Sequence, residues 1–127
     1  MAKKQLPEEF KDFIKLLNSN KVKYLLLGGW AVGVYGHPRA TNDIDFLVSK
    51  DDLNLKKLKK VFEEFKSPPV NIEILKEDNS LIAIGSSPIR IEVINTASGI
   101  KIDECYSRKK SIELEDIKIQ LISKSVK

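Results

Sequence analysis

The stretch "YLLLGGW" (24–30) constrains the fold most. A continuous apolar run stops at two glycines, and "DIDFLV" (43–48) follows a few residues later with acidic and apolar residues alternating over its first four positions. Together with the preceding Val22-Lys23, "VKYLLL" (22–27) reads as a central strand buried on both faces. The alternating run reads as a second strand, with Ile44, Phe46 and Val48 on one face and Asp43, Asp45 and Leu47 on the other. Between them, "GWAVGVYG" (29–36) is small, apolar and long enough for about two helical turns. The spacing therefore predicts a strand–helix–strand unit with carboxylates on one sheet face.

The rest of the chain extends this unit. Phe10, Phe13, Ile14 and Leu17 recur at helical spacing behind Glu8 and Glu9, which predicts an amphipathic helix ending near Asn18-Ser19-Asn20. A second helix is expected after residue 49, with Ser49 and Asp52 in a capping-box pattern and Leu55, Leu58, Phe62 and Phe65 as its apolar stripe. Ser67-Pro68-Pro69 stops it. Strands are expected at 70–75, 80–85, 89–94, 111–115 and 117–122, with a short helix around 103–109. The expected class is α/β (α+β), one domain over 1–127 with a mixed sheet flanked by helices. The final "SKSV" (123–126) reads as the cap of a further helix.

Composition narrows the function classes. The chain has 127 residues, 42% hydrophobic and 31% charged, which suits one globular core. No apolar run approaches the roughly 20 residues of a membrane helix, and "MAKKQLPEEF" lacks the apolar segment of a signal peptide. The single cysteine, Cys105, fits a reducing cytoplasm. A net charge of +4 gives a mild bias toward anionic partners such as nucleotides or RNA. Lys56, Lys57, Lys59 and Lys60, however, lie opposite an apolar stripe and read as a solvated helix face.

The residues that can carry chemistry are few. Gly28 and Gly29 stand where a strand hands over to a helix, so the backbone can turn tightly and a phosphate can approach exposed amides; a plain turn is the alternative. Asp43 and Asp45 share a face, and like charges that close need a cation between them, for which Mg²⁺ is the usual choice. Glu92, alone among apolar neighbours in "IRIEVI" (89–94), is costly to bury without a partner. Arg39 and Thr41 precede the acid pair, where the guanidinium can reach a phosphate or pair with an aspartate. Arg90, two residues before Glu92, can touch phosphate or neutralise the acid. His37 reads as a loop residue, Trp30 as core and Cys105 as an inert thiol.

Taken together, "GGWAVGVYGHPRATNDIDFLV" (28–48) resembles the nucleotidyltransferase superfamily, in which a Gly-Gly or Gly-Ser turn opens a helix and an Asp-x-Asp strand follows. It is similar to small bacterial members with a GG-x-A … R-x-T-x-DID arrangement, some of them in toxin–antitoxin pairs, and to aminoglycoside nucleotidyltransferases. The resemblance covers most of 22–123. It implies that Gly28 and Gly29 cradle a nucleoside triphosphate, and that Asp43, Asp45 and Glu92 hold Mg²⁺ or Mn²⁺. Glu92 stands where the family usually has Asp, and Glu73 is a weaker candidate for that third-carboxylate place. The implied activity is transfer of a nucleoside monophosphate from an NTP to a hydroxyl on a protein, RNA or small molecule. Larger relatives hold the acceptor on a second helical domain, so a partner protein, a second copy or a further segment is expected to supply that surface. The competing reading is a non-catalytic module of the same fold, such as an antitoxin or nucleotide sensor.

Overall fold

The computed structural model describes residues 7–27, 43–86, 89–96, 100–114 and 116–122. Helix α1 (Glu8–Ser19) buries Phe10, Phe13, Ile14 and Leu17, the stripe read from the sequence. Strand β1 (Tyr24–Leu27) is buried along its whole length, and β2 (Asp43–Val48) follows the alternating run. Helix α2 (Asp52–Phe65) comes next, then β3 (Leu81–Ser86), β4 (Ile89–Ile94), β5 (Lys110–Leu114) and β6 (Ile117–Leu121). The strands form one mixed sheet in the order β3-β4-β2-β1-β6-β5. β2 runs parallel to β4 and β1 parallel to β6; the other neighbours are antiparallel. The antiparallel pair β1 and β2 is joined through residues 28–42, and the helix expected at 29–36 lies outside the described residues.

Helices α1 and α2 pack on one face of the sheet. There Phe13 meets the rings of Phe46, Phe62 and Phe65 at 5.5, 5.7 and 5.2 Å, and Tyr24 meets Phe46 edge-on at 5.7 Å. Ile44, Val48, Ile91, Val93, Ile82, Ile84, Ile119 and Leu121 complete this core. The opposite face carries a smaller apolar cluster of Leu25, Leu27, Leu47, Ile102 and Cys105. The main core explains why the alternating strands hold their register: a slip of one residue would turn Asp45 and Glu92 into the helices.

Three expectations are corrected. Residues 70–75 are not a strand; Ile72–Lys76 forms a 3₁₀ turn in which Ile72 and Leu75 are buried and Ile74 is exposed. That burial follows the three-residue period of the turn, and Asn71 caps it by accepting from the Glu73 amide. The cap of α2 is Asp51, whose carboxylate accepts from the Asn54 amide at 2.8 Å, while the Ser49 hydroxyl donates to Asp51. The short helix around 103–109 is a pair of 3₁₀ turns, Ile102–Glu104 and Tyr106–Arg108. Lys56, Lys59 and Lys60 are exposed, as a solvated helix face requires. Among the described residues no helix is long and apolar enough to cross a membrane.

Candidate active site

The second face of the sheet divides into two halves. Toward the start of β1, Leu25, Leu47 and Ile94 are capped by Ile102 and Cys105. Burial pushes the Cys105 thiol above its ordinary pKa, which agrees with an inert side chain. Toward the end of β1 the face turns acidic.

The acids come together through the parallel pairing of β2 and β4. Asp45 is in register with Glu92, and Asp43 with Arg90. Neighbouring strands lie about 4.8 Å apart, so the Asp45 and Glu92 backbones stand side by side. Their flanking residues Ile44, Phe46, Ile91 and Val93 all enter the main core. Alternation then sends Asp45 and Glu92 to the opposite face. Asp45 Oδ1 is sealed from solvent. Glu92 is half-buried, and its Oε2 accepts from Arg90 Nε at 2.7 Å. Of the two roles open to Arg90, the structure displays neutralisation of the acid.

A lateral row runs Leu27, Asp45, Glu92, Ala83 across four strands. On β3 the neighbours of Glu92 and Arg90 are Ala83 and Gly85. Among the described residues, a methyl and a hydrogen add little cover to Glu92 and Arg90 on that side. Sequence reading passed over these two residues. Their signal was available as the alternation Leu81, Ala83, Gly85, which shrinks toward the acid row.

Asp43 opens β2, where its backbone is described. Glu73 does not join the row: it sits on the Ile72–Lys76 turn, which packs on the helix side of the sheet, and pairs with Lys76 at 2.9 Å. Gly28, Gly29, Trp30, His37, Arg39 and Thr41 lie outside the described residues. Leu27, the residue before the glycines, is in register with Asp45. Among the described residues no three His, Cys, Asp or Glu side chains converge as a metal-binding group. The Asp43 side chain is not among those described. The donors that do adjoin, two carboxylates, are hard oxygen ligands of the kind Mg²⁺ and Mn²⁺ prefer, so the residues fit such an ion.

The mixed sheet, with α1 and α2 on one face and Asp45 and Glu92 paired on the other, can be compared with solved folds. A crystal structure from Thermotoga maritima, provisionally assigned as a nucleotidyltransferase, superposes with a TM-score of 0.62 at 16% sequence identity, over 91% of this chain and 75% of that one. At that identity the likeness concerns the fold. Comparison with protein-family models gives no match, and comparison with curated proteins gives none.

Proposed function

We propose that the chain is a metal-dependent nucleotidyltransferase that moves a nucleoside monophosphate from an NTP to a hydroxyl acceptor. The observation that carries the reading is the Asp45–Glu92 register on the acidic half of the second face, in a fold shared with the Thermotoga protein. Asp43, Asp45 and Glu92 would hold Mg²⁺ or Mn²⁺. Such ions would supply activation of an attacking hydroxyl and charge stabilisation for a leaving pyrophosphate. The chain's own work is positional. Gly28 and Gly29, following the Asp45-registered Leu27, would let the triphosphate approach backbone amides. Arg39 and Thr41 would bind phosphate oxygens from the segment leading into the acid pair. The acceptor would rest on a partner protein or a second copy.

The test uses α-labelled triphosphates with the full chain and a cell extract as acceptor source. Label should appear on an acceptor, with pyrophosphate released, and Asp43→Ala should remove it. Gly29→Val should abolish thermal stabilisation by nucleotide and Mg²⁺ while leaving the fold intact, because a branched side chain fills the space the phosphates need. Absence of any thermal shift with all four common triphosphates at millimolar concentration would defeat the proposal.

One observation favours the non-catalytic reading: a guanidinium already occupies Glu92, the residue that departs from the usual Asp. Glu92→Asp separates the two. Labelling gained with Asp assigns the difference to one methylene; nucleotide binding without labelling in either protein assigns the chain to binding alone.

A further inference from the structure

The acid row carries a cation of its own. Arg90 and Glu92 lie two residues apart on β4, so both belong to one face, and their side chains meet at 2.7 Å. The register sets Arg90 against Asp43 and Glu92 against Asp45. The Asp45 and Glu92 carboxylates thus stand on neighbouring strands with a guanidinium beside them. Carboxylates at that spacing repel unless positive charge sits among them. Arg90 supplies that charge at Glu92.

We infer that Arg90 is a positioning residue that holds Glu92 while the divalent ion is absent and exchanges it for nucleotide phosphate when substrate arrives. The inference rests on the metal-dependent reading above and adds its regulation: nucleotide and ion bind as a coupled pair. The geometry allows the exchange. Arg90 is the more exposed partner, with 40% of its side chain accessible against 21% for Glu92. Its β3 neighbour is Gly85, which leaves room to swing, and Ile91 and Val93 anchor β4 from the other side of the sheet. A guanidinium pairs as readily with phosphate as with carboxylate, often through two parallel hydrogen bonds. A divalent ion and a guanidinium cannot share Glu92 Oε2 without repelling each other. Drawing Arg90 onto phosphate therefore raises affinity for the ion, and the ion must raise affinity for nucleotide by the same factor.

The experiment is calorimetric titration of the full chain with Mn²⁺, with and without a non-hydrolysable triphosphate analogue, in wild type and Arg90→Gln. Thermal melting checks that the variant folds, and Arg90→Met, which keeps the apolar stem, serves if it does not. Wild type should bind Mn²⁺ more tightly with the analogue than without, by more than about tenfold. Arg90→Gln should bind Mn²⁺ alone about tenfold more tightly than wild type, and its gain from the analogue should be about tenfold smaller than that of wild type, the remainder coming from phosphate oxygens on the ion itself. A role confined to structure would leave the coupling unchanged. Coupling as large in a folded Arg90 variant as in wild type overturns the inference and leaves the metal-dependent reading standing. Mn²⁺ binding to neither protein, with or without analogue, overturns both.

Discussion

Asn54 is the side chain whose loss should cost the fold most per atom removed. It is 4% exposed, on the first turn of α2, and its amide reaches the ends of two strands. Oδ1 accepts from the Lys23 amide at 2.7 Å, and Nδ2 donates to the carbonyls of Lys23 and Ser49 at 3.2 and 2.8 Å. Lys23 precedes β1 and Ser49 follows β2, so the amide closes the ladder at the end remote from the acids. Asn54→Ala removes three hydrogen bonds worth about 1 kcal/mol each. The Lys23 carbonyl keeps a long contact from the Ser49 amide at 3.4 Å, but the Lys23 N–H and Ser49 carbonyl lose their partner. Better helix propensity returns about 0.5 kcal/mol. The expected net loss is about 3 kcal/mol, seen as a lower urea midpoint with an unchanged slope and a melting point lower by about 10 °C. Asn54→Asp should be at least as damaging at neutral pH, because it turns an anion toward two carbonyls. A loss under about 1 kcal/mol in both variants would refute the reasoning. Nucleotide and Mn²⁺ affinities of the folded Ala variant should match wild type, since the clamp lies at the far end of β1 and β2.

Three further outcomes follow from the same geometry. Asp51→Ala should cost about 1 kcal/mol by removing the cap of α2; the Asn54 amide, then the Ser49 hydroxyl, hold this carboxyl below its ordinary 3.8, so in wild type its contribution is whole above that pH and is lost as acid titration falls through the lower folded value. Tyr24, pushed up from 10.0 to about 12 chiefly by burial, should ionise at higher pH than a free phenol in an alkaline absorbance titration, and stability should fall between those two values because the unfolded chain ionises first. Phe46→Ala should lose about 3–5 kcal/mol in urea unfolding, since its fully buried ring contacts those of Phe13 and Tyr24.

Local patterns were readable and long-range pairing was not. "DIDFLV" and "IRIEVI" became β2 and β4 with the expected bounds, because a two-residue period with one apolar face leaves little choice once a core exists. "VNIEIL" shows the same period and is not a strand. Pro68 and Pro69 have no amide to offer a ladder, and Asn71 caps the following turn. The Ser49–Asp52 capping box failed because the helix starts two residues later: the Ser49 hydroxyl accepts from the Asp51 amide and donates to the Asp51 carboxylate, which takes the Asn54 amide as the cap. That Asp45 should stand near Glu92 was implied by the family resemblance and by no local pattern. The parallel pairing of β2 with β4 depends on the chain between them, which no local pattern encodes. The Arg90–Glu92 contact was one of two options the spacing allowed, and only the folded rotamers separate them.

The connection from β1 to β2 has a consequence for how freely this protein can change. An antiparallel pair can be joined by two residues, yet this chain uses 28–42 to travel from Leu27 to Asp43. Lengthening a connection that far raises its closure entropy by only about 2 kcal/mol, because the cost grows with the logarithm of length. The strands are meanwhile held by their ladder and by Asn54 at the opposite end. The closure cost of the longer connection is therefore small beside the ladder and the clamp that hold β1 against β2, so a change in its length shifts that cost only slightly.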